Sequence, residues 1–272
     1  MKLFFKISAE KKYWLELLLL MTNKEIKARY KNAYLGFVWI LMNPLLQMFF
    51  IGLVFQFFIP VNIDNYFLFL FTGLLPWNFF SISLEKTTSS IVYERSIIKK
   101  SSFPKEIIPF SIILSDLFHF LVSLLLLMSI LIGDKVFFED FNFIQLILYI
   151  INFIKIIPFI IWLVFLLGGL SLLFSSLNTK YRDINFIVKA FLPLWFYATP
   201  IIYTLDLLPS YLHLIFYINP IVAIIEGFQS TLLGLEPTNF LFIAISLIIT
   251  FIFFILGINV FFRESKFFDD WV

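Results

Sequence analysis

Long apolar segments separated by short polar breaks make up most of the chain. A helix needs about 20 consecutive, mostly apolar residues to cross a bilayer. Six segments meet this requirement: 34–59, 66–84, 107–132, 141–177, 186–204 and 238–262. The pattern predicts an all-α integral membrane protein with six transmembrane helices.

The basic residues are concentrated in the breaks that a six-span topology places on one side of the membrane. In this topology 18 of the 20 Lys and Arg residues lie on that side. Because basic residues favour the cytoplasmic side, we expect both termini of this multi-pass protein to be cytoplasmic. Segment 141–177 is nearly long enough for two crossings, but a second crossing would put Lys180 and Arg182 outside. A single crossing with a bend at Pro158 is therefore predicted.

The segment 1–33, before the first span, contains an apolar patch that is too short to cross. Within it Trp14, Leu17, Leu18 and Met21 recur at helical spacing. This spacing predicts an amphipathic helix that lies in the cytoplasmic membrane interface. A helix that packs on the protein itself would have the same pattern.

The segment 205–237, before the last span, contains no Lys or Arg, and neither of its apolar runs is long enough to cross and return. Its breaks are at Pro209, at Asn219-Pro220 and between Gly234 and Pro237. We expect short helices that re-enter the membrane from the outer side. Such backbone is tolerated only where protein or a water-filled cavity covers it, which points to a pathway near that side.

Composition supports a membrane protein and excludes several kinds of site. The chain has 272 residues, of which 61% are hydrophobic and 14% are charged, whereas soluble domains have roughly 45–50% apolar and about 25% charged residues. A net charge of +2 gives no support for nucleic-acid binding. The chain has no cysteine, which excludes disulfides, thiol catalysis and thiolate metal sites. With two histidines, no metal site is predicted.

Three ionisable residues lie well away from the ends of predicted spans, where charge is costly and suggests a function. Asp116 and His119 are three residues apart on the third span, and Lys155 lies within the fourth. Asp116 and His119 fit either a proton relay or a polar seam packed against another helix. Lys155 fits either an outward-reaching side chain or a partner for Asp116.

Catalytic chemistry is poorly supported on this chain. None of the nine glycines precedes a lysine, so the phosphate-binding pattern GxxxxGK[ST] is missing and the chain cannot be an ATPase on its own. The acidic residues of the basic loops are scattered, which argues against a metal-dependent membrane transferase. No catalytic residue and no cofactor are predicted for this chain.

Five stretches in order resemble the membrane subunits of type-2 ABC exporters for polysaccharides, a family that moves O-antigen, capsular polysaccharide or teichoic acid. The stretches are "NKEIKARYKNAYLGFVWILMNPLLQMFFIGLVF", "FTGLLPWNFFSISL", "IIKKSSFPKEIIPFSIILSDL", "LNTKYRDINFIVKAFLPLWFYATPIIY" and "INPIVAIIEGFQSTLLG". The resemblance extends from about residue 23 to residue 262, which is nearly the whole chain.

The resemblance implies a homodimer of six-span subunits, paired with two copies of a separate subunit that binds ATP and Mg²⁺. It implies that the cargo is a glycan on a polyprenol diphosphate carrier, with O-antigen as the expected class. It divides the chain into a cytoplasmic segment 1–33 and a transmembrane domain 34–272. Within that domain, 85–106 would hold the gate and the ATPase-coupling region, including Arg95, Lys99 and Lys100.

Basic residues near the cytoplasmic turns are candidates for binding the carrier's diphosphate, because guanidinium binds phosphate oxygens bidentately. The candidates are Arg29, Lys31, Lys180 and Arg182. For Arg182, a contact with Asp183 or with backbone inside the chain is an equally good interpretation, and for Arg29 and Lys31 a contact inside the chain is likewise open.

Two other functions remain open from the sequence. The first is a proton-coupled glycolipid flippase that acts without an ATPase, which would need Asp116 or His119 to titrate. The second is a membrane transferase, which would turn over without a partner.

Overall fold

The structure is a computed structural model that describes residues 2–31, 34, 36–58, 63, 65–100, 102–138, 143–207, 209–236 and 239–271. Within these ranges every regular element is a helix, as predicted. The α-helices are α1 (Lys2–Tyr30), α2 (Trp39–Phe58), α3 (Tyr66–Tyr93), α4 (Arg95–Ile98), α5 (Ile107–Phe138), α6 (Phe143–Lys155), α7 (Ile157–Lys180), α8 (Asp183–Tyr197), α9 (Ser210–Tyr217), α10 (Pro220–Leu233), α11 (Phe240–Glu264) and α12 (Phe268–Trp271).

Five helical segments in the described ranges are long and apolar enough to cross a membrane. They are Trp39–Gln56, Tyr66–Tyr93, Ile107–Gly133, Ile150–Lys180 and Phe240–Trp271. The predicted span 186–204 is not among them, because α8 has only 15 residues and the chain turns after Tyr197. At about 1.5 Å per residue, α8 is roughly 22 Å long, which is less than the hydrocarbon core of about 30 Å. The count of six spans is therefore not confirmed.

The long fourth segment forms one candidate span with a break, as predicted. The break lies at Ile156, between α6 and α7, and Pro158 occupies the first turn of α7. Proline is tolerated there because the first turn of a helix has no partner for its backbone N–H groups.

α3 is longer than the predicted span 66–84, because its last turns bury hydroxyl groups that are fully bonded within the helix. Thr87 Oγ1 donates to the carbonyl of Ser83 at 2.8 Å, and Thr88 Oγ1 donates to that of Leu84 at 2.6 Å. Such bonds let polar side chains continue inside a packed helix. The start of the predicted gate region, 85–93, is thus a continuation of α3.

α3 lies at the centre of the bundle, where it contacts α2, α5, α7, α8 and α10. α10 is buried almost completely along its first half, from Ile221 to Ile225. By contrast, α2 and α11 present mostly apolar side chains outward, with Phe50 and Phe251 among the exposed ones. Outward apolar surface is what a bilayer environment favours.

The segment 205–237 forms two short helices, α9 and α10, separated at Asn219. Asn219 caps α10, because its side-chain oxygen accepts a hydrogen bond from the backbone N–H of Ile221 at 3.3 Å. Gly234 ends α10 with a φ of 72°, which a glycine adopts without a Cβ clash. Pro237, the last predicted break, lies outside the described residues. Entry from the outer side stays a prediction.

α1 packs lengthwise against the first half of α5. Met21 lies in one apolar cluster with Ile107 and Ile108, and Arg29 reaches Asp116 eight residues further along both helices. This arrangement fits a helix that packs on the protein itself, which was the alternative to an interface helix. Its position relative to the membrane surface stays a prediction.

Candidate functional site

Asp116, on α5, is the centre of a buried polar cluster. Its Oδ1 accepts hydrogen bonds from Lys86 Nζ at 2.7 Å and from Arg29 Nη1 at 3.0 Å. Its Oδ2 accepts one from Ser83 Oγ at 3.1 Å. We call Arg29, Ser83, Lys86, Asp116 and His119 the Asp116 cluster.

Helical spacing assembles this cluster from three helices. Ser83 and Lys86 are three residues apart on α3, and Asp116 and His119 are three apart on α5, so each pair lies on one helix face. Arg29 comes from the last turn of α1. A carboxylate buried at this depth is stable only with such partners, because desolvation of an unpaired charge is costly.

His119 contacts the same guanidinium, with its Nδ1 2.9 Å from Arg29 Nη1. Arginine only donates hydrogen bonds, so Nδ1 is the acceptor and we assign the proton of the neutral ring to Nε2. The cluster then carries two positive charges and one negative charge. Only 3% of the Asp116 side chain is exposed, compared with 28% for Arg29 and 39% for Lys86. The excess positive charge is therefore on the accessible groups.

A cavity of about 260 Å³ opens beside the cluster. Arg29, Asp116 and His119 contribute to its polar side, together with Asn43, Asn78 and Ser123. The remaining wall is apolar and partly aromatic, and consists of Trp39, Ile40, Pro44, Leu75, Phe79, Ile82 and Phe120. We call this space the charged cavity.

A second cavity, of about 490 Å³, lies between α2, α3 and α8, and we call it the amide cavity. Asn43, Asn78 and Ile82 line both cavities and form a shared wall. Across the amide cavity, Asn78 Nδ2 donates to Gln47 Oε1 at 2.6 Å. Its aromatic side chains are Trp77, Phe196 and Tyr197.

An ion pair between α3 and α8 also lines the amide cavity. Lys189 Nζ lies 3.5 Å from Glu85 Oε1, and 48% of each side chain is exposed. At this exposure an ion pair contributes little to stability. Little free energy would therefore be lost if either charge left the pair to bind a ligand.

The predicted carrier-binding residues are divided between two places. Arg29 lines the charged cavity, whereas Lys31 is exposed after α1. Lys180 and Arg182 lie at the α7–α8 turn, where Arg182 Nη2 donates to the carbonyl of Trp271 at 3.0 Å. The backbone contact considered for Arg182 is thus the one that the structure contains. The structure does not bring Lys180 and Arg182 into the walls of either cavity.

The other predicted residues are at the surface. Arg95, at the start of α4, and Lys99 and Lys100, directly after it, are exposed. Lys155 is exposed at the end of α6, where its Nζ donates to Asn152 Oδ1 at 3.2 Å. Of the two interpretations of Lys155, the structure contains the outward-reaching side chain, and the positions beside the Asp116 carboxylate are held by Arg29 and Lys86.

Sequence reasoning missed Lys86 and Ser83 as partners of Asp116. Lys86 was counted only as a loop charge that sets topology, because the span was expected to end at residue 84. The sequence did hold one signal that could have found them: Ser83 and Lys86 are three residues apart, as Asp116 and His119 are, so each pair lies on one helix face. The amides Asn43, Gln47 and Asn78 carried no comparable signal, since single amides are common in helices.

The sequence profile of the ABC-2 type transporter family matches residues 16–233, a range that contains every residue lining the two cavities. The chain belongs to the ABC-2 type transporter family. This confirms the resemblance seen in the five sequence stretches. The family consists of transporter permeases, which agrees with a transport subunit and implies an ATPase partner.

The curated relatives carry a more specific name. An O-antigen export system permease protein RfbA of Klebsiella pneumoniae is 33% identical over 250 residues, which cover 92% of both chains. A second Klebsiella pneumoniae protein of the same name is 32% identical over the same share. The protein of that name from Myxococcus xanthus is 31% identical over 218 residues, or 79% of each chain. With its long apolar helices, the chain fits a multi-pass inner membrane protein.

Proposed function

We propose that this chain is the permease subunit of an ATP-driven exporter that moves a polyprenol-diphosphate-linked polysaccharide across the cytoplasmic membrane. O-antigen is the proposed cargo class, in line with the names of the relatives. The observation that carries the proposal is the shared wall of Asn43, Asn78 and Ile82 between a charged and an amide cavity. A lipid-linked glycan has both an anionic group and sugar rings directly beside it.

The charged cavity suits the diphosphate. Arg29 lines this cavity, and Lys86, which bonds the same carboxylate from outside its wall, leaves the Asp116 cluster with one excess positive charge. A guanidinium binds two phosphate oxygens at once, so Arg29 can exchange part of its contact with Asp116 for a phosphate. The aromatic wall, with Phe79 and Phe120, suits the first isoprenoid units.

The amide cavity suits the sugars that follow the diphosphate. Asn43, Gln47 and Asn78 offer both hydrogen-bond donors and acceptors, which match the hydroxyl groups of a sugar. Trp77 and Tyr197 offer flat apolar faces together with a polar group each, which suits the mixed surface of a pyranose ring. Glu85 and Lys189 are charged groups at the same surface.

A second copy of this chain would complete the path. The amide cavity is bounded by α2 and α8, whose exposed side chains include Leu46, Phe49, Phe191 and Leu194. A homodimer through these two helices would close the cavity into a conduit. Because the chain has no cysteine, single-cysteine variants at these positions can test this by disulfide cross-linking in membranes. Cross-links at Phe191 and none at Phe251 on α11 would support it.

The energy for transport would come from the ATPase partner. Its binding would favour one arrangement of α4 and of the α7–α8 turn over another, and only such differential binding can shift the equilibrium between a closed and an open permease. We place these contacts on the cytoplasmic side.

The experiment is a deletion of this chain combined with affinity purification of a tagged copy. We expect a P-loop subunit to copurify, surface polysaccharide to disappear, and glycan on its diphosphate carrier to accumulate inside the cell. Transport into inside-out vesicles should require ATP and continue when a protonophore removes the proton gradient. Export that stops with the gradient while ATP remains would instead support a proton-coupled flippase.

A further inference from the structure

The segment Ser265–Trp271, which follows α11 and includes α12, folds back onto the bundle. Its Phe268 is fully buried, with 0% of its surface exposed. It lies in an apolar cluster to which six other elements each contribute at least one residue. These residues are Met21 of α1, Ile91 of α3, Ile98 of α4, Ile107 and Ile108 of α5, Leu172 of α7 and Phe261 of α11.

Polar contacts fix the same segment at both of its ends. Lys105 Nζ donates to the carbonyl of Ser265 at 3.2 Å and to Asp269 Oδ2 at 2.9 Å. Arg182 Nη2 donates to the carbonyl of Trp271, and Lys180 Nζ lies 5.4 Å from the centre of the Trp271 ring. The segment thereby joins the residues just before α5 to the α7–α8 turn.

α4 depends on this packing for its position. A helix of four residues has almost no stability of its own, so tertiary contacts must fix its orientation. α4 buries Ile98 in the cluster around Phe268, and α12 contacts both α4 and α7. Arg95 and Lys99 are exposed, and an ion pair between Lys24 of α1 and Glu94, directly before α4, is partly exposed, so these groups hold α4 only weakly.

We propose that Phe268 and Trp271 are positioning residues that hold α4 and the α7–α8 turn together as one mechanical unit. α8 begins directly after Arg182 and supplies Lys189 and Leu192 to the wall of the amide cavity. A displacement of α4 is then passed through α12 to α8 and changes that cavity. That the displacement comes from an ATPase partner rests on the proposed function.

The first test measures backbone hydrogen exchange of the full chain in lipid nanodiscs. The amides of Ile98 and Lys99 donate to the carbonyls of Glu94 and Arg95, and their exchange reports how firmly α4 is held. In Phe268→Ala we expect these amides to exchange at least about tenfold faster, because α4 loses its buried contact. Amides in the middle of α10 should keep their wild-type rates.

Four further variants separate positioning from general damage. Phe268→Leu keeps an apolar group in the cluster, and Phe262→Ala removes an exposed ring from the neighbouring α11. In both variants the α4 amides should exchange within about twofold of the wild-type rate. Arg182→Ala leaves the apolar cluster intact and removes only the contact to Trp271. It should still speed exchange in α4 by about threefold or more, and Arg182→Lys should restore part of the protection.

The second test uses the permease bound to its ATPase. Phe268→Ala should keep wild-type assembly and ATP hydrolysis but lower glycan export by about tenfold, whereas Phe268→Leu should export normally. Unchanged exchange in α4 of Phe268→Ala would overturn the inference, and so would faster exchange with normal export. If the wild-type chain shows no ATP-dependent transport, the proposed function fails, and the exchange test still decides whether α12 holds α4.

Discussion

The guanidinium of Arg29 and the carboxylate of Asp116 lie 3.0 Å apart, although 87 residues separate them in the chain. This contact joins the end of α1 to the first half of α5, a candidate membrane span. Since Lys86 uses the same carboxylate oxygen, one buried group holds three helices at one point.

Asp116→Asn should destabilise the protein by about 3 kcal/mol, at the low end for a broken buried ion pair, because Arg29 and Lys86 keep some access to solvent. Thermal unfolding in detergent measures this. Arg29→Ala in the Asp116→Asn background should cost at least about 1 kcal/mol less than it does alone, since the two residues share one interaction. Ser129→Ala, an exposed site on the same helix, is the control. If the losses of stability from the two single substitutions simply added up in the double variant, the contact between Arg29 and Asp116 would contribute nothing to stability.

Gly257→Ala should destabilise the protein by about 1–3 kcal/mol, because α7 and α11 have their backbones in contact there. A Cβ at Gly257 would meet the carbonyl oxygen of Gly169, and one at Gly169 would lie 2.6 Å from the Cα of Phe254. Gly133→Ala is the matched control, since a Cβ at Gly133 on α5 has nothing within 4 Å.

Gly133→Ala should raise the free energy of unfolding by roughly 0.5–1 kcal/mol, because alanine has the higher helix propensity. Equal melting temperatures for Gly257→Ala and Gly133→Ala would contradict the close approach of the two helices.

Thr250→Val should destabilise the protein by about 1 kcal/mol, because it leaves the buried indole N–H of Trp162 without its acceptor. Thr250 Oγ1 accepts this bond at 2.8 Å and donates to the carbonyl of Ser246. Valine has nearly the same shape, so packing should change little. Thr250→Ser keeps the oxygen and should melt like wild type. A serine variant as unstable as the valine variant would point to the methyl group instead.

Lys189→Ala should lower glycan export about fivefold or more, while changing stability by less than about 1 kcal/mol. Its ion pair with Glu85 is half exposed, so the pair stabilises little, but its charge lies on the wall of the amide cavity. Export from cells with equal amounts of membrane-inserted protein is the measurement. Lys189→Arg should recover most of the export, and full export by the alanine variant would remove Lys189 from the path.

The sequence predicted the helices whose length and apolarity follow from the thickness of a bilayer. Segment length and apolarity are enough to locate the first four predicted spans and the last one as helices long enough to cross a membrane. They do not locate the ends of helices: α8 ends at Tyr197, within the predicted span 186–204, and α3 continues past residue 84, where Thr87 and Thr88 bond to their own helix. Apolarity does not report where a helix ends.

The candidate site was predictable only in part. Asp116 and His119 stood out because charge is rare inside a span, and a polar seam was one of their two interpretations. Their partners come from α1 and α3, and a single sequence does not tell which helices become neighbours. For Arg182 a contact with the carrier and a backbone contact inside the chain were both open, and the structure contains a contact with the carbonyl of Trp271.

On the proposed function, the wall shared by the two cavities would make recognition depend on both parts of the cargo. Asn43 and Asn78 have one cavity on each side, so a bare polyprenol diphosphate would occupy one side of the wall and a free glycan the other. Only the joined molecule would engage both at once. On the proposed function, we therefore expect the exporter to discriminate finished cargo from recycled empty carrier, and competition by sugar-free carrier in vesicles measures that preference.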